Sequence, residues 1–531
     1  VADRRIIDLQ EINALDAATF VATDSEGHGT RKYDLGALVN ALTGAYPIWD
    51  STNNRYTNES IAAMLDARRD GLSYGVSIPK GSATTCTKIA SNAGIANPTP
   101  GVIGTAAIDP YVGRGPFRYY EVNGYVDSDG TPHVTAIMGD GRFKRDGSNG
   151  DVWIMTPVLW WREITTGEDA VERYISDTRL TGMSAQPHAY LPNGTLRPYM
   201  LYAKYAGCKG TDGYMHSYSG FAPWTREISH DSCIQKCRNA STGYSGKSVA
   251  DDWYVKIMFQ MKYASKHSQG VFAGCTSYNL NYAVTVAESG VTRVIIAKAN
   301  ANNLLVGSSV SLGSSDHSNS VFGHGRIASI TSYDTNNSAV NIDTTSTFTT
   351  TTSLKLSTEP WRAGSCDMVE GDGSPTSNTS GKEPFVLQGI ECMVGCLEVL
   401  GDVIVTNNGS TGWVPYVCHD SRNESTSITS NYTSTGRAMP TDTTDSHKYP
   451  LYTQVSEGLD FGSTTGGSQS TGLCDSHYTN KMATTGTREW LSVGYLWDGG
   501  NAGLWCVGAN VGLTGTGWVI GGRLSATGRA A

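Results

Sequence analysis

The chain is poor in charge and holds no block of positive charge. Of its 531 residues only 17% are Asp, Glu, Lys or Arg, and the formal net charge is -9. Globular proteins carry nearer a quarter. Nucleic-acid binding needs clustered Lys and Arg that displace phosphate counterions. The nearest approach is Arg142-Phe143-Lys144-Arg145, set between Asp140 and Asp146, and it reads as a solvated turn. No nucleic-acid partner is expected. Long apolar runs are missing too. No window reaches the roughly eighteen apolar residues of a membrane helix, so no membrane insertion is expected. The opening Val1-Ala2-Asp3-Arg4-Arg5 has no apolar stretch of the signal-peptide kind, so synthesis in the cytoplasm is expected.

Catalytic and metal signatures are also lacking. There is no GxSxG, no Walker-type loop and no HExxH. Asp127-Ser128-Asp129-Gly130 starts like a calcium loop but lacks the closing Glu, and reads as a hairpin turn. Asp367, Glu370 and Asp372 stand beside Gly371 and Gly373. They read as an acidic turn in preference to a cation site. Neither metal nor cofactor is expected. The 11 Cys are spread out. Cys233 and Cys237, like Cys392 and Cys396, are one helical turn apart, a spacing wrong for CxxC. Buried free thiols are the expectation. Neighbouring Cys474 and His477, or Cys418 and His419, imply no thiol–imidazole contact by sequence proximity alone.

What is abundant is Gly, at 61 residues, together with Ser, Thr and Asn. That composition suits a turn-rich extracellular or virion protein. The length predicts two to four domains, and the patterning predicts a β-rich α+β fold. Residues 1–45 read as a strand over 19–23, a turn, a returning strand over 30–33, and a helix capped by Asp34 with Leu35, Leu38, Val39 and Leu42 on one face. So small a unit needs neighbouring copies or a docking partner. Residues 46–115 read as a connector with a helix over 59–69, whose apolar face carries Ile61, Met64 and Leu65. Residues 116–287 open with the turn pairs Asp129-Gly130, Asp140-Gly141 and Asp146-Gly147. Core strands over 152–155 and 158–161 follow. Then come helices over 232–239, capped by Ser229 or Asp231, and over 250–265. Residues 288–358 read as a small inserted all-β domain. Residues 359–531 return to Gly, Trp and short strands, clearest at 397–405 and 490–495. No internal repeat of fixed period is visible.

The C-terminus is the most informative stretch. From Arg488 it runs Glu489-Trp490-Leu491-Ser492-Val493-Gly494-Tyr495-Leu496-Trp497-Asp498-Gly499-Gly500-Asn501-Ala502-Gly503-Leu504. A Gly-rich loop follows, and Val519-Ile520-Gly521-Gly522-Arg523-Leu524 closes the chain's last strands. The pattern reads as strand, turn, strand, exposed loop and closing strand. Arg523 in an apolar strand reads as a buried guanidinium that satisfies backbone carbonyls. Trp497, Trp505 and Trp518 each read either as core or as contact anchors.

These residues resemble the C-type-lectin-like domain of phage receptor-binding proteins, including those diversified by retroelements. The resemblance is carried by Arg488, Gly494, Trp497, Gly500, Ala502-Gly503-Leu504 and Gly521-Gly522-Arg523-Leu524. Upstream, Phe385 to Glu391 and Gly395-Cys396-Leu397-Glu398 are similar to the family's central segment, and residues 474–480 sit where phage members carry a Tyr/Asp-rich strand. The same fold includes the formylglycine-generating, sulfatase-modifying enzymes. The resemblance implies a lectin-like body over 116–287 and 359–531, interrupted by the β insertion. Residues 1–45 resemble the attachment segment of phage fibre and baseplate proteins.

The implied protein is a bacteriophage virion structural protein of tail-fibre or baseplate type, made in the host cytoplasm. It is implied to be a homo-oligomer, a trimer like most fibres, docked to other virion proteins through residues 1–45. It would bind a bacterial surface glycan or protein and would not be an enzyme. The implied receptor-binding face is residues 497–518, with Trp497, Asp498, Asn501, Trp505, Asn510, Thr514, Thr516 and Trp518 as contacts. Two other readings stand beside it. One is a purely structural capsid-decoration, head-fibre or tail-cementing protein. The other is a phage-borne enzyme acting on host glycan.

Overall fold

The computed structural model describes the strands Phe20–Thr23 and Thr30–Tyr33 and residues 47–529. The chain divides into two compact units, residues 1–68 and residues 69–531. In the first unit the two N-terminal strands pair antiparallel, Phe20 opposite Tyr33 and Thr23 opposite Thr30, as the alternation predicts. The helix expected after Asp34 lies outside the described residues. The connector helix is Asn58–Asp66, with Thr57 as N-cap accepting from the Ser60 amide and Ile61, Met64 and Leu65 buried. It stops three residues short of the expected end.

The second unit is β-rich. One sheet runs, in spatial order, Tyr244–Gly246, Leu524–Ala526, Met200–Ala203, Asp151–Thr156, Tyr120–Val126, Pro132–Ile137. The last strand of the chain therefore lies between strands from residues 200–246 and knits the two halves of the body together. Asp129-Gly130 makes the hairpin turn between Tyr120–Val126 and Pro132–Ile137. A second sheet orders Ser184–Ala185, Trp160–Thr166, Ala170–Ser176, Tyr74–Pro79, Thr87–Ala90. Val158 and Leu159 are buried but precede their strand, which begins at Trp160. A third sheet holds the C-terminal strands around Leu397–Asn407 and Gly486–Ser492.

The long helix is Val249–Tyr263, and every residue of it except Val255 is buried. A helix buried all round belongs to the interior. Its charged groups must then be paired. Lys256 meets Asp252 at 2.5 Å, Lys262 meets Asp109 at 2.7 Å and also pairs with Asp372. Gln260 accepts from Arg173 at 2.7 Å. The shorter helix is His230–Ala240, capped by Ser229 and not by Asp231.

The inserted domain is a closed six-stranded barrel spanning residues 281–359. The expected boundary at 288 missed its first strand, Asn281–Val286. That strand pairs with the next strand, Arg293–Ala297, and also with Lys355–Glu359 at the far end of the insertion, which closes the barrel. Val294, Ile296, Val310, Leu312, Ile327 and Val340 fill the barrel. All eleven cysteines are buried and free, as the spacing predicts.

Candidate functional site: an aromatic groove on the closing strands

The site grows out of one row of the third sheet. Directly paired residues of neighbouring strands point to the same face. His447 pairs with Tyr478, Tyr478 with Gly508, Gly508 with Leu491, and Leu491 with Val399. The row thus reads ring, ring, nothing, aliphatic. The His447 and Tyr478 rings touch edge to face at 4.8 Å. Gly508 leaves a gap between Tyr478 and Leu491. The atoms nearest a Cβ placed there would be the Leu491 Cβ at 3.5 Å, the Asn510 Oδ1 at 3.6 Å and the Leu491 Cδ1 at 3.8 Å, all ordinary contact distances. The gap is the floor of a groove of about 470 Å³, within the range of ligand pockets. The opposite face of the same strands carries Val507, Ala509 and Trp490 into a core with Val403, Val405 and Trp413. The floor is therefore backed by close packing.

One wall is the turn after Gly486–Ser492. Val493 has φ 73, a left-handed backbone that a β-branched residue adopts only under strain. Its amide donates to the Cys506 carbonyl at 2.9 Å. The turn it starts brings Tyr495 and Asp498 to the groove. Asp498 Oδ2 accepts from the Tyr495 amide at 3.0 Å. Burial pushes the Asp498 carboxyl up to about 6, against the lowering effect of that amide.

The facing wall is Trp518 with Val519 and Ile520. Trp518 lies flat on His317 of the barrel, ring centroids 3.6 Å apart and planes 10° from parallel. His317 is itself fixed, its amide donating to Ser357 Oγ at 2.9 Å and its Nδ1 3.2 Å from the Thr358 carbonyl. Burial pushes the His317 pKa down, which favours a neutral ring under the indole. The barrel thus buttresses the groove. Arg226 ties barrel to body, donating to Glu359 at 2.8 Å and to the His317 carbonyl at 2.7 Å.

Beneath the site lies the guanidinium expected from the closing motif. Arg523 is buried and donates to the carbonyls of Ala203 at 2.9 Å and Glu391 at 2.7 Å, and to Glu398 Oε1 at 2.7 Å. Burial works to raise the Glu398 carboxyl, but Arg523 and Lys247 outweigh it and hold it at about 2. Leu397 and Glu398 pair in parallel with Ile520 and Gly521, so this ion pair anchors the wall strand.

The expected contact residues separate in the structure. Asp498, Asn510 and Trp518 line the groove. Trp497 is 68% exposed, and Thr514 and Thr516 are exposed, but none of the three lines it. Asn501 accepts from Tyr449 and from Gln469 at 3.1 Å in a neighbouring turn. Trp505 is a correction. It is fully buried, and its Nε1 donates to Asp460 Oδ2 at 2.7 Å. It stands in the turn two residues before the groove strand Val507–Ala509, and its ring packs against Phe259. It cannot touch a receptor.

The sequence did not point to His447, Tyr495 or His317; Gly508 falls within the expected face 497–518 without being singled out, and Tyr478 only within the Tyr/Asp-rich segment. Elsewhere, Asp367 is bound by Tyr205 and Ser219, each at 2.6 Å, while Asp372 belongs to Lys262. Among the described residues no group of three His, Cys, Asp or Glu is arranged to hold a metal ion. His477 accepts from the Gly462 amide and His419 meets Glu457, so neither is engaged with its neighbouring cysteine.

A scan of the chain against protein-family models gives no match, and a search of curated proteins gives none either.

Proposed function

We propose that the chain is a structural protein of a tailed-bacteriophage particle, of tail-fibre or baseplate type, whose lectin-like body binds a bacterial surface glycan or protein through the aromatic groove. The observation that carries this reading is the groove: Tyr478, Tyr495 and Trp518 around a missing side chain, on a floor packed from behind. Rigid aromatic anchors beside a few polar groups are the chemistry of recognition surfaces. Asp498 and Asn510 supply the polar groups. The two stretches that carry the lectin resemblance also meet in space, since Arg523 of the closing motif bonds Glu398 and the Glu391 carbonyl of the central one. In this reading the protein is a homotrimer held to other virion proteins by residues 1–45.

A purely structural, cementing role is favoured by one observation. Ile108, Val112 and Met368 are 72%, 81% and 71% exposed on neighbouring loops, an apolar surface suited to packing in a particle.

The test is Gly508→Leu in the full chain. A Cβ at this position meets only side-chain atoms at ordinary contact distances, so the larger residue is placed to obstruct the groove floor. Fluorescently labelled protein should lose about 100-fold in affinity for host cells, with its thermal unfolding unchanged. Wild-type binding by the folded variant would reject the groove as the contact face.

A further inference from the structure

A second concavity, of about 610 Å³, opens between the Ser184–His188 segment, the 419–431 loops and the hairpin formed by Gln454–Ser456 and Leu459–Phe461. It shares no lining residue with the aromatic groove. Three observations mark it as a built site.

The first is backbone strain. The two residues at the hairpin tip, Glu457 and Gly458, have φ 54 and 83. Such two-residue turns need left-handed backbone at both positions, and Asn, Asp or Gly is the residue that adopts it cheaply at the first. Glu stands there instead. His188, on the opposite side of the cleft, is also left-handed, with φ 55. Two non-glycine residues held in a costly conformation both line this one cleft, and strain of that kind collects at functional sites.

The second is unspent hydrogen-bonding capacity. His188 is 2% exposed, and neither of its ring nitrogens has a hydrogen-bond partner among the described residues. Its closest carboxylate oxygen, on Asp402, is 3.6 Å away. Buried polar groups are nearly always bonded. The exposed side-chain amides of Asn423 and Asn431 make no hydrogen bond among the described residues, and Glu457 is engaged only through Oε2, by His419 at 2.8 Å.

The third is an aromatic plate. Trp161 lines the cleft and is fixed by Trp253, ring centroids 5.5 Å apart at 60°.

A flat apolar ring next to amides that both donate and accept, and next to a carboxylate with an open oxygen, matches one chemistry. It is the chemistry of a ring with an apolar C–H face and vicinal hydroxyls, each of which donates and accepts. We infer that this cleft is a second ligand site and that it takes a saccharide unit, independently of whatever occupies the aromatic groove.

The test uses the full chain and saturation-transfer NMR with the methyl glycosides of glucose, galactose, mannose, rhamnose and N-acetylglucosamine. At least one glycoside should receive saturation. Its affinity should fall at least ten-fold in Asn431→Ala combined with Glu457→Gln, and stay at the wild-type value in Gly508→Leu. Because Glu457 holds a turn, Asn423→Ala alone, at an exposed amide, serves as the second variant and should weaken the same glycoside about three-fold. Transfer to none of the five overturns the inference. So does transfer that survives the cleft variants or vanishes with Gly508→Leu. The last outcome places the saccharide in the aromatic groove, and so separates failure of this inference from failure of the proposed function.

Discussion

The aromatic groove and the polar cleft lie on the same β-rich unit but are made by opposite means. The groove is an absence: one glycine in an otherwise filled row of a sheet, with a core behind its floor and one wall, Trp518, stacked on His317. The cleft is an accumulation of loop ends, strained at His188 and Glu457, with both ring nitrogens of His188 buried and unbonded among the described residues. A recess in a sheet gains its precision from the close packing beneath it. A recess between loops gains its chemistry from groups the fold leaves unsatisfied. The first is suited to excluding water from an apolar face, the second to exchanging hydrogen bonds with a polar ligand.

The two are nonetheless linked through one residue. Trp505 stands two residues before the groove strand, and its indole bonds Asp460 on the cleft hairpin. Asp460 in turn binds Arg173 at 2.6 Å, and the pair is buried. Trp505→Ala removes a buried ring and an anchor of that ion pair. It should cost about 3–5 kcal/mol of stability by denaturant unfolding and weaken both sites together. A variant as stable as wild type would show the two recesses to be independent.

Next in size is Gly508→Leu, which separates them. The expected loss of about 100-fold in cell binding corresponds to about 2.7 kcal/mol, with the cleft untouched.

Asp498→Asn sharpens the comparison through pH. The folded-state pKa of Asp498 is raised to about 6, so the folded protein holds this proton more tightly than the unfolded chain does. That favourable contribution is complete below about pH 4 and is lost as pH rises through 6. The variant, which cannot ionise and keeps an acceptor for the Tyr495 amide, should gain on wild type by on the order of 2 kcal/mol between pH 4 and pH 8. Parallel stability curves across that range would contradict a raised carboxyl on the groove wall.

Much of the local structure was legible in the sequence, and the reason is that its signals are local. Asp129-Gly130 made the turn it spells, Ser229 capped its helix, and Arg523 took the buried role its apolar neighbours imply. The barrel's first strand was assigned to the body, because the partner that closes the barrel on it lies at the other end of the insertion, beyond its local pairing with Arg293–Ala297. The groove was half legible. Asp498, Asn510 and Trp518 lie within one stretch of chain, but the row from His447 to Leu491 exists only through strand pairing between distant segments. Trp505 misled because a Gly-rich frame does not tell which way a turn residue points. The cleft was invisible, since its lining comes from segments far apart in the chain and a glutamate at the hairpin tip does not announce left-handed backbone.

The most direct test of the account is hydroxyl-radical footprinting of the full chain, free and bound to host cells. Oxidation of Trp518, Tyr495 and Tyr478 should fall several-fold on binding, while Trp497, exposed but outside the groove, should keep its free reactivity. Protection of Trp497 with no change at Trp518, Tyr495 and Tyr478 would contradict it.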